Sequence, residues 1–127
     1  MNTKPFSIFL LLCVLLITAL TGCSKKQKFT KEFWREGDGI TYSKRKLIYE
    51  DLLANYKLKG MHYKDVVRLL GKPDATDSLK ASYQIINTDS EYNPKKDSIY
   101  RMNLEFYFSK DSAVTRTAIY ERKSKLY

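Results

Sequence analysis

The sequence predicts an α+β domain in which two helices pack on one face of a three-stranded antiparallel sheet, in the order α-α-β-β-β. Three observations predict it. Apolar residues recur at helical spacing through residues 43–70, a stretch punctuated by Gly60 and closed by Gly71 and Pro73. From residue 100 to 108 the period becomes two, with Tyr100, Met102, Leu104, Phe106 and Phe108 alternating with Arg101, Asn103, Glu105 and Tyr107. Two further runs rich in aromatic and β-branched residues flank this one. Helices followed by strands give the segregated order of an α+β fold, in which the helices cover one face of the sheet.

The first helix is expected over residues 43–57. Ser43 is of a type that caps a helix N-terminus, and Leu47, Ile48, Leu52, Leu53 and Tyr56 fall on one side. Lys44, Arg45, Lys46, Glu50 and Asp51 fall mostly on the other, as an exposed face requires. Gly60 breaks the helix, and a second, shorter one is expected over residues 62–70. Met61 stands at its entry, and Val66, Val67, Leu69 and Leu70 form its apolar face. Gly71 suits a left-handed residue just past the helix end, and Pro73 prevents continuation. Val66 and Leu70 are expected to point at the sheet.

Strands are expected over residues 81–87, which hold Tyr83, Ile85 and Ile86, over residues 100–108, and over residues 113–122 with Val114, Thr115, Thr117 and Ile119. Ser109-Lys110-Asp111-Ser112 is a four-residue turn between the last two. Residues 88–98, with Asn93-Pro94, read as a long hairpin loop. One face of the sheet carries Arg101, Asn103, Glu105 and Tyr107 and is expected to meet solvent or a partner. Arg101, Glu105 and Tyr107 are the candidate partner-binding residues.

Upstream of the domain, Lys4 precedes an apolar run from Phe6 to Leu20, too short to be a comfortable membrane span, which reads as an export signal. Leu20-Thr21-Gly22-Cys23 places small residues directly before a cysteine. This resembles the lipobox of bacterial lipoproteins, in which the cysteine thiol takes a diacylglyceryl group and the chain is cut just before it. The resemblance implies that Cys23 becomes the acylated first residue of the mature protein. Two or more acyl chains hold a protein stably on a bilayer. The expected organisation is a signal peptide over residues 1–22, a lipid-anchored, lysine-rich tether over residues 23–41 and one domain over residues 42–127. Lys25, Lys26, Lys28 and Lys31 lie beside the anchor, either as attraction for an anionic leaflet, at roughly 1 kcal/mol each, or as a solvated spacer. Phe33 and Trp34 stand out in this polar stretch, either to pack on the domain, the first expectation, or to insert at the membrane interface or touch a partner.

Charge and cysteine content narrow the function. Loss of Lys4 with the signal lowers the Lys and Arg count from 23 to 22 against 14 Asp and Glu, a net charge of +8. In an exported protein a basic balance points to anionic head groups and envelope polymers, with most of the scattered basic residues read as solvating the surface, and nucleic acid is not expected as a partner. Cys13 leaves with the signal and Cys23 is acylated, so no thiol remains for a disulfide, a metal or redox chemistry. A nucleophile–histidine pair would have to use the one histidine, His62, which reads as a solvent-facing residue at the start of the second helix, and no second histidine exists to bind a metal with it. No catalytic residue, metal or cofactor is expected, and the chain reads as a binding protein rather than an enzyme.

The stretch from Gly60-Met61 through Asp65-Val66 to Leu69-Leu70-Gly71 and Pro73 resembles the SmpA/OmlA (BamE-like) lipoproteins. Their pattern is Gly-Met, three polar positions, an acidic residue, Val, two variable positions, Leu-Leu-Gly and, one residue on, Pro. The lipobox and the later strands fit the same layout. The resemblance implies an α-α-β-β-β fold, shared with the halves of β-lactamase-inhibitor proteins, and protein binding without catalysis. Two functions follow as expectations. One is an accessory role in outer-membrane protein assembly or envelope maintenance, and the other is inhibition or modulation of an envelope enzyme. Ser24 after the acylated cysteine favours the outer membrane, and no acidic run follows Cys23 to suggest surface export, so the periplasmic side is expected. The tether, the extended first helix and the Asn93-Pro94 loop depart from the family's pattern.

Overall fold

In the computed structural model, which describes residues 26–88 and 98–125, three helices precede four strands. They are α1 (Lys31–Arg35), α2 (Arg45–Asn55), α3 (Tyr63–Leu70), β1 (Ala75–Asp77), β2 (Lys80–Asn87), β3 (Ser98–Phe108) and β4 (Val114–Lys125). The strands lie side by side in chain order as one antiparallel sheet. The lipobox residues Leu20, Thr21, Gly22 and Cys23 lie outside the described residues, as do residues 89–97 of the expected hairpin loop.

The α+β class and the antiparallel sheet agree with the sequence; the number of strands does not. The sheet has four strands instead of three, because β1 pairs with β2 through Ala75↔Ser82, Thr76↔Ala81 and Asp77↔Lys80. All three β1 residues are exposed, so no apolar alternation marks the strand. Its two-residue turn, Ser78-Leu79, also lacks the Asn-Gly or Asp-Gly signature of such hairpins.

The expected tether is also corrected, from residue 26 onward. Gln27 N–H donates to the Leu47 carbonyl at 3.3 Å, and Phe29 N–H donates to Asp51 Oδ2 at 2.8 Å. Thr30 caps α1, its Oγ1 accepting from Phe33 N–H at 3.2 Å. Trp34 is fully buried, while Phe33 stays 37% exposed. Phe29 packs edge-on against Tyr56 with ring centres 4.9 Å apart, and Arg35 Nη2 donates to the Arg68 carbonyl at 2.8 Å. Two large apolar side chains are the reason this polar stretch folds back on the domain.

α2 begins later than expected. Lys44 occupies the cap position without a side-chain cap bond, and Ser43 is exposed outside the helix. The buried stripe runs Arg45, Ile48, Leu52, one residue per turn, while Leu47 and Tyr56 are 40% and 38% exposed. His62 stands just before α3 and caps it, Nδ1 accepting from Lys64 N–H at 3.2 Å. Gly71 has the expected positive φ of 83°, but its ψ of −173° takes it out of the left-handed helical well into an extended region open to glycine. Gly60, at φ 86°, donates its N–H to the Val114 carbonyl at 2.7 Å and ties the α2–α3 link to the start of β4.

One hydrophobic cluster joins the layers. Trp34, Ile48, Leu52, Val66 and Leu70 meet Ala81, Tyr83, Leu104, Phe106 and Phe108 of the sheet. Tyr83 and Phe106 pack edge-on at 5.7 Å, as do Tyr63 and Phe108 at 5.4 Å. Val66 and Leu70 are buried in this cluster as expected, and Met61 packs against it partly buried.

Candidate interaction surface

Strand register decides which side chains share the outer face, because directly opposed residues of an antiparallel pair point the same way. Across β2, β3 and β4 the outward rows are Lys80, Tyr107 and Arg116; Ser82, Glu105 and Ala118; Gln84, Asn103 and Tyr120; and Asn87, Arg101 and Arg122. Ile99 and Ser124 form a further pair beyond them. Arg101, Glu105 and Tyr107 therefore lie on one face, as the sequence predicts.

Their states differ. Arg101 is exposed and, with Arg122, Ile99 and Ser124, lines a shallow hollow. Tyr107 is half-buried, its ring covered by the Arg116 guanidinium at 3.5 Å from the ring centre. Glu105, expected to face a partner, is only 7% exposed. Its Oε2 accepts from the Tyr107 hydroxyl at 2.5 Å and its Oε1 lies 3.3 Å from Lys80 Nζ. Both oxygens are thus occupied within the sheet, and Ala118 opposite is small, so longer neighbours close over the carboxylate. Glu105 holds Tyr107 and Lys80 in place; it is not a free contact residue.

Arg116, Tyr120 and Arg122 complete the face and escaped the sequence reading. Two irregularities explain why. In β3–β4 the register shifts between Tyr107 and Phe108, so that Phe108 faces Val114 while Tyr107 faces Arg116. Without the extra residue, Thr115, Thr117, Ile119 and Glu121 would occupy the outer face, since a slip of one residue exchanges the two sides of a strand. Thr115 Oγ1 donates to the Tyr107 carbonyl at 3.1 Å and secures the bulge. A second shift between Gln84 and Ile86 leaves Ile85 buried and Ile86 packed on the core beside it.

On the opposite side of the sheet, Arg45 forms a polar node that the sequence assigns to an exposed helix face. It is 2% exposed. Nε donates to the Trp34 carbonyl at 2.9 Å, and Nη1 donates to Asp74 Oδ2 at 2.7 Å and to the Gln84 carbonyl at 2.9 Å. The guanidinium lies 3.6 Å from the Tyr42 ring centre and 5.0 Å from that of Trp34. One side chain thus links the N-terminal segment, α2, the link after α3 and β2. The Asp38 turn positions Tyr42 nearby: its carboxylate accepts from Thr41 N–H at 2.6 Å and Ile40 N–H at 2.8 Å, which hold it below the usual carboxylate range. Burial pushes the Tyr83 hydroxyl well above the ordinary tyrosine value, and that hydroxyl donates to the Gly71 carbonyl at 2.9 Å. The Arg45 and Tyr83 bonds tie separate parts of the fold together and are structural.

Among the described residues no group of three or more His, Cys, Asp or Glu side chains is arranged to hold a metal. No described helix is long and apolar enough to cross a membrane. No family model, curated protein or solved structure matches the chain.

Proposed function

We propose that this chain is a cell-envelope lipoprotein, held by acyl chains on Cys23, whose BamE-like domain binds a protein partner as an accessory to outer-membrane protein assembly or envelope maintenance. The observation that carries the binding role is the outer sheet face, where Tyr107, Arg116, Tyr120 and Arg122 stand on adjacent strands. Tyrosine and arginine are the residue types most enriched at interface hot spots. Support for the anchor is the Leu20-Thr21-Gly22-Cys23 sequence, and support for the family is the run from Gly60-Met61 to Gly71 and Pro73. The periplasmic side of the outer membrane is the favoured location.

Cys23→Ser tests the anchor, because it removes the only nucleophile that can accept the diacylglyceryl group. Membrane attachment is lost or the uncut precursor accumulates. Processing before residue 23 with unchanged membrane fractionation would sink the lipoprotein reading. Crosslinking and pull-down from native membranes then separate the two binding roles. An assembly subunit captures a barrel-inserting complex, whereas an inhibitor captures an envelope enzyme.

A further inference from the structure

The N-terminal segment reaches the domain almost as soon as it leaves the proposed anchor. Lys26 Nζ is 2.8 Å from Glu50 Oε2, Gln27 is bonded to the Leu47 carbonyl, and Phe29 is buried in the core. Two residues, Ser24 and Lys25, separate Cys23 from Lys26, and the three residue steps from Cys23 to Lys26 reach no further than about 11 Å even fully extended. That reach is shorter than the radius of gyration of a domain this size, about 13 Å. A lipid on Cys23 therefore keeps the first turns of α2 next to the head groups, with no room for the domain to stand off or turn over.

The surface held there suits an anionic bilayer. Leu47 is 40% exposed, Lys46 precedes it on α2, and Lys26 and Lys28 are exposed alongside the docked segment. Glu50, on the next turn of α2, is paired with Lys26. We propose that Lys26, Lys28, Lys46 and Leu47 form a seat on the anionic surface of the same membrane that carries the anchor. This proposal rests on the lipoprotein reading of Cys23. α2 packs on the inner side of the sheet, against β2, so a seat at α2 turns the Tyr107–Arg116–Tyr120 face away from the lipid.

The test uses the mature, acylated protein in vesicles of phosphatidylglycerol and phosphatidylcholine. Cys23 is blocked by its lipid, so Leu47→Cys and Tyr120→Cys each supply a single thiol for a fluorophore, and a nitroxide-bearing lipid is the quencher. Emission from position 47 is largely quenched while position 120 is untouched. Equal, weak quenching at both positions in protein that floats with the vesicles would overturn the seat and leave the anchor standing. An unacylated mass for the mature protein would overturn the anchor and the seat together. A twelve-residue Gly-Ser insertion after Ser24 lowers the quenching at 47, and undiminished quenching would overturn the short connection as its cause. Vesicles of phosphatidylcholine alone also lower it, and no change there would overturn the charge complementarity.

Discussion

Arg45 is the residue whose environment departs furthest from its chemistry. A guanidinium at 2% exposure is tolerated because its donors meet two carbonyls and the Asp74 carboxylate, and because its flat face stacks on Tyr42. Lysine keeps the charge but has neither the planar fork nor the stacking surface. Arg45→Lys is therefore expected to cost about 3 kcal/mol, toward the lower end of a broken buried pair because Asp74 retains some contact with water. Urea unfolding should show a lower midpoint with an unchanged slope; an unaltered midpoint would mean that the node contributes nothing to stability. Tyr83 carries a pH dependence of known sign. Its folded pKa is raised, chiefly by burial, so its contribution is fully present below the unfolded tyrosine value of about 10 and is lost as pH rises beyond it. Stability should fall above about pH 10, and Tyr83→Phe should flatten that fall relative to the parent.

Elements were legible where one signal dominated. α3 was read to within a residue, since the glycines and Pro73 bracket it and Val66 and Leu70 share its buried face. β3 was read from its alternation and β4 from the Ser109–Ser112 turn, where Ser112 N–H donates to the Ser109 carbonyl at 2.9 Å. What escaped has physical reasons. β1 has no buried side chain to betray it, and the two bulges redistribute faces by a backbone shift that alternation does not encode. Arg45 lies on the same stripe as Ile48 and Leu52, three and seven residues on, and only its charge argued for the outside. α1 is five residues within a lysine-rich stretch, with Phe29 and Trp34 as its only strong apolar anchors. That reliance gives a prediction for the element: Trp34→Ala should cost about 3 to 5 kcal/mol, whereas Phe33→Ala, one residue away and 37% exposed, should change little. Thermal melts of both proteins decide it. Equal effects would mean that the segment does not pack as described.

For the molecule as a whole, the sheet divides two environments, and the division makes the binding surface testable without confusing it with stability. On the inner side Phe106 is fully buried between Tyr83 and the helices, so Phe106→Ala removes a core side chain and should cost about 3 to 5 kcal/mol, enough to unfold much of a small domain. On the outer side the residues divide again by whether they hold something else. Tyr107 is engaged by Arg116 and by Glu105, so its truncation would disturb a nearly buried carboxylate as well as any interface. Tyr120 is 48% exposed, and Arg122 beside it is exposed as well. Tyr120→Ala with Arg122→Ala is therefore the cleaner probe. If this face docks the partner, the pair should weaken capture by about 2 kcal/mol, roughly thirtyfold, with the melting temperature and acylation unchanged. Full capture by that double variant, with capture lost on substitution at Phe33 or within residues 88–98, would place the interface elsewhere and remove the sheet face from the account.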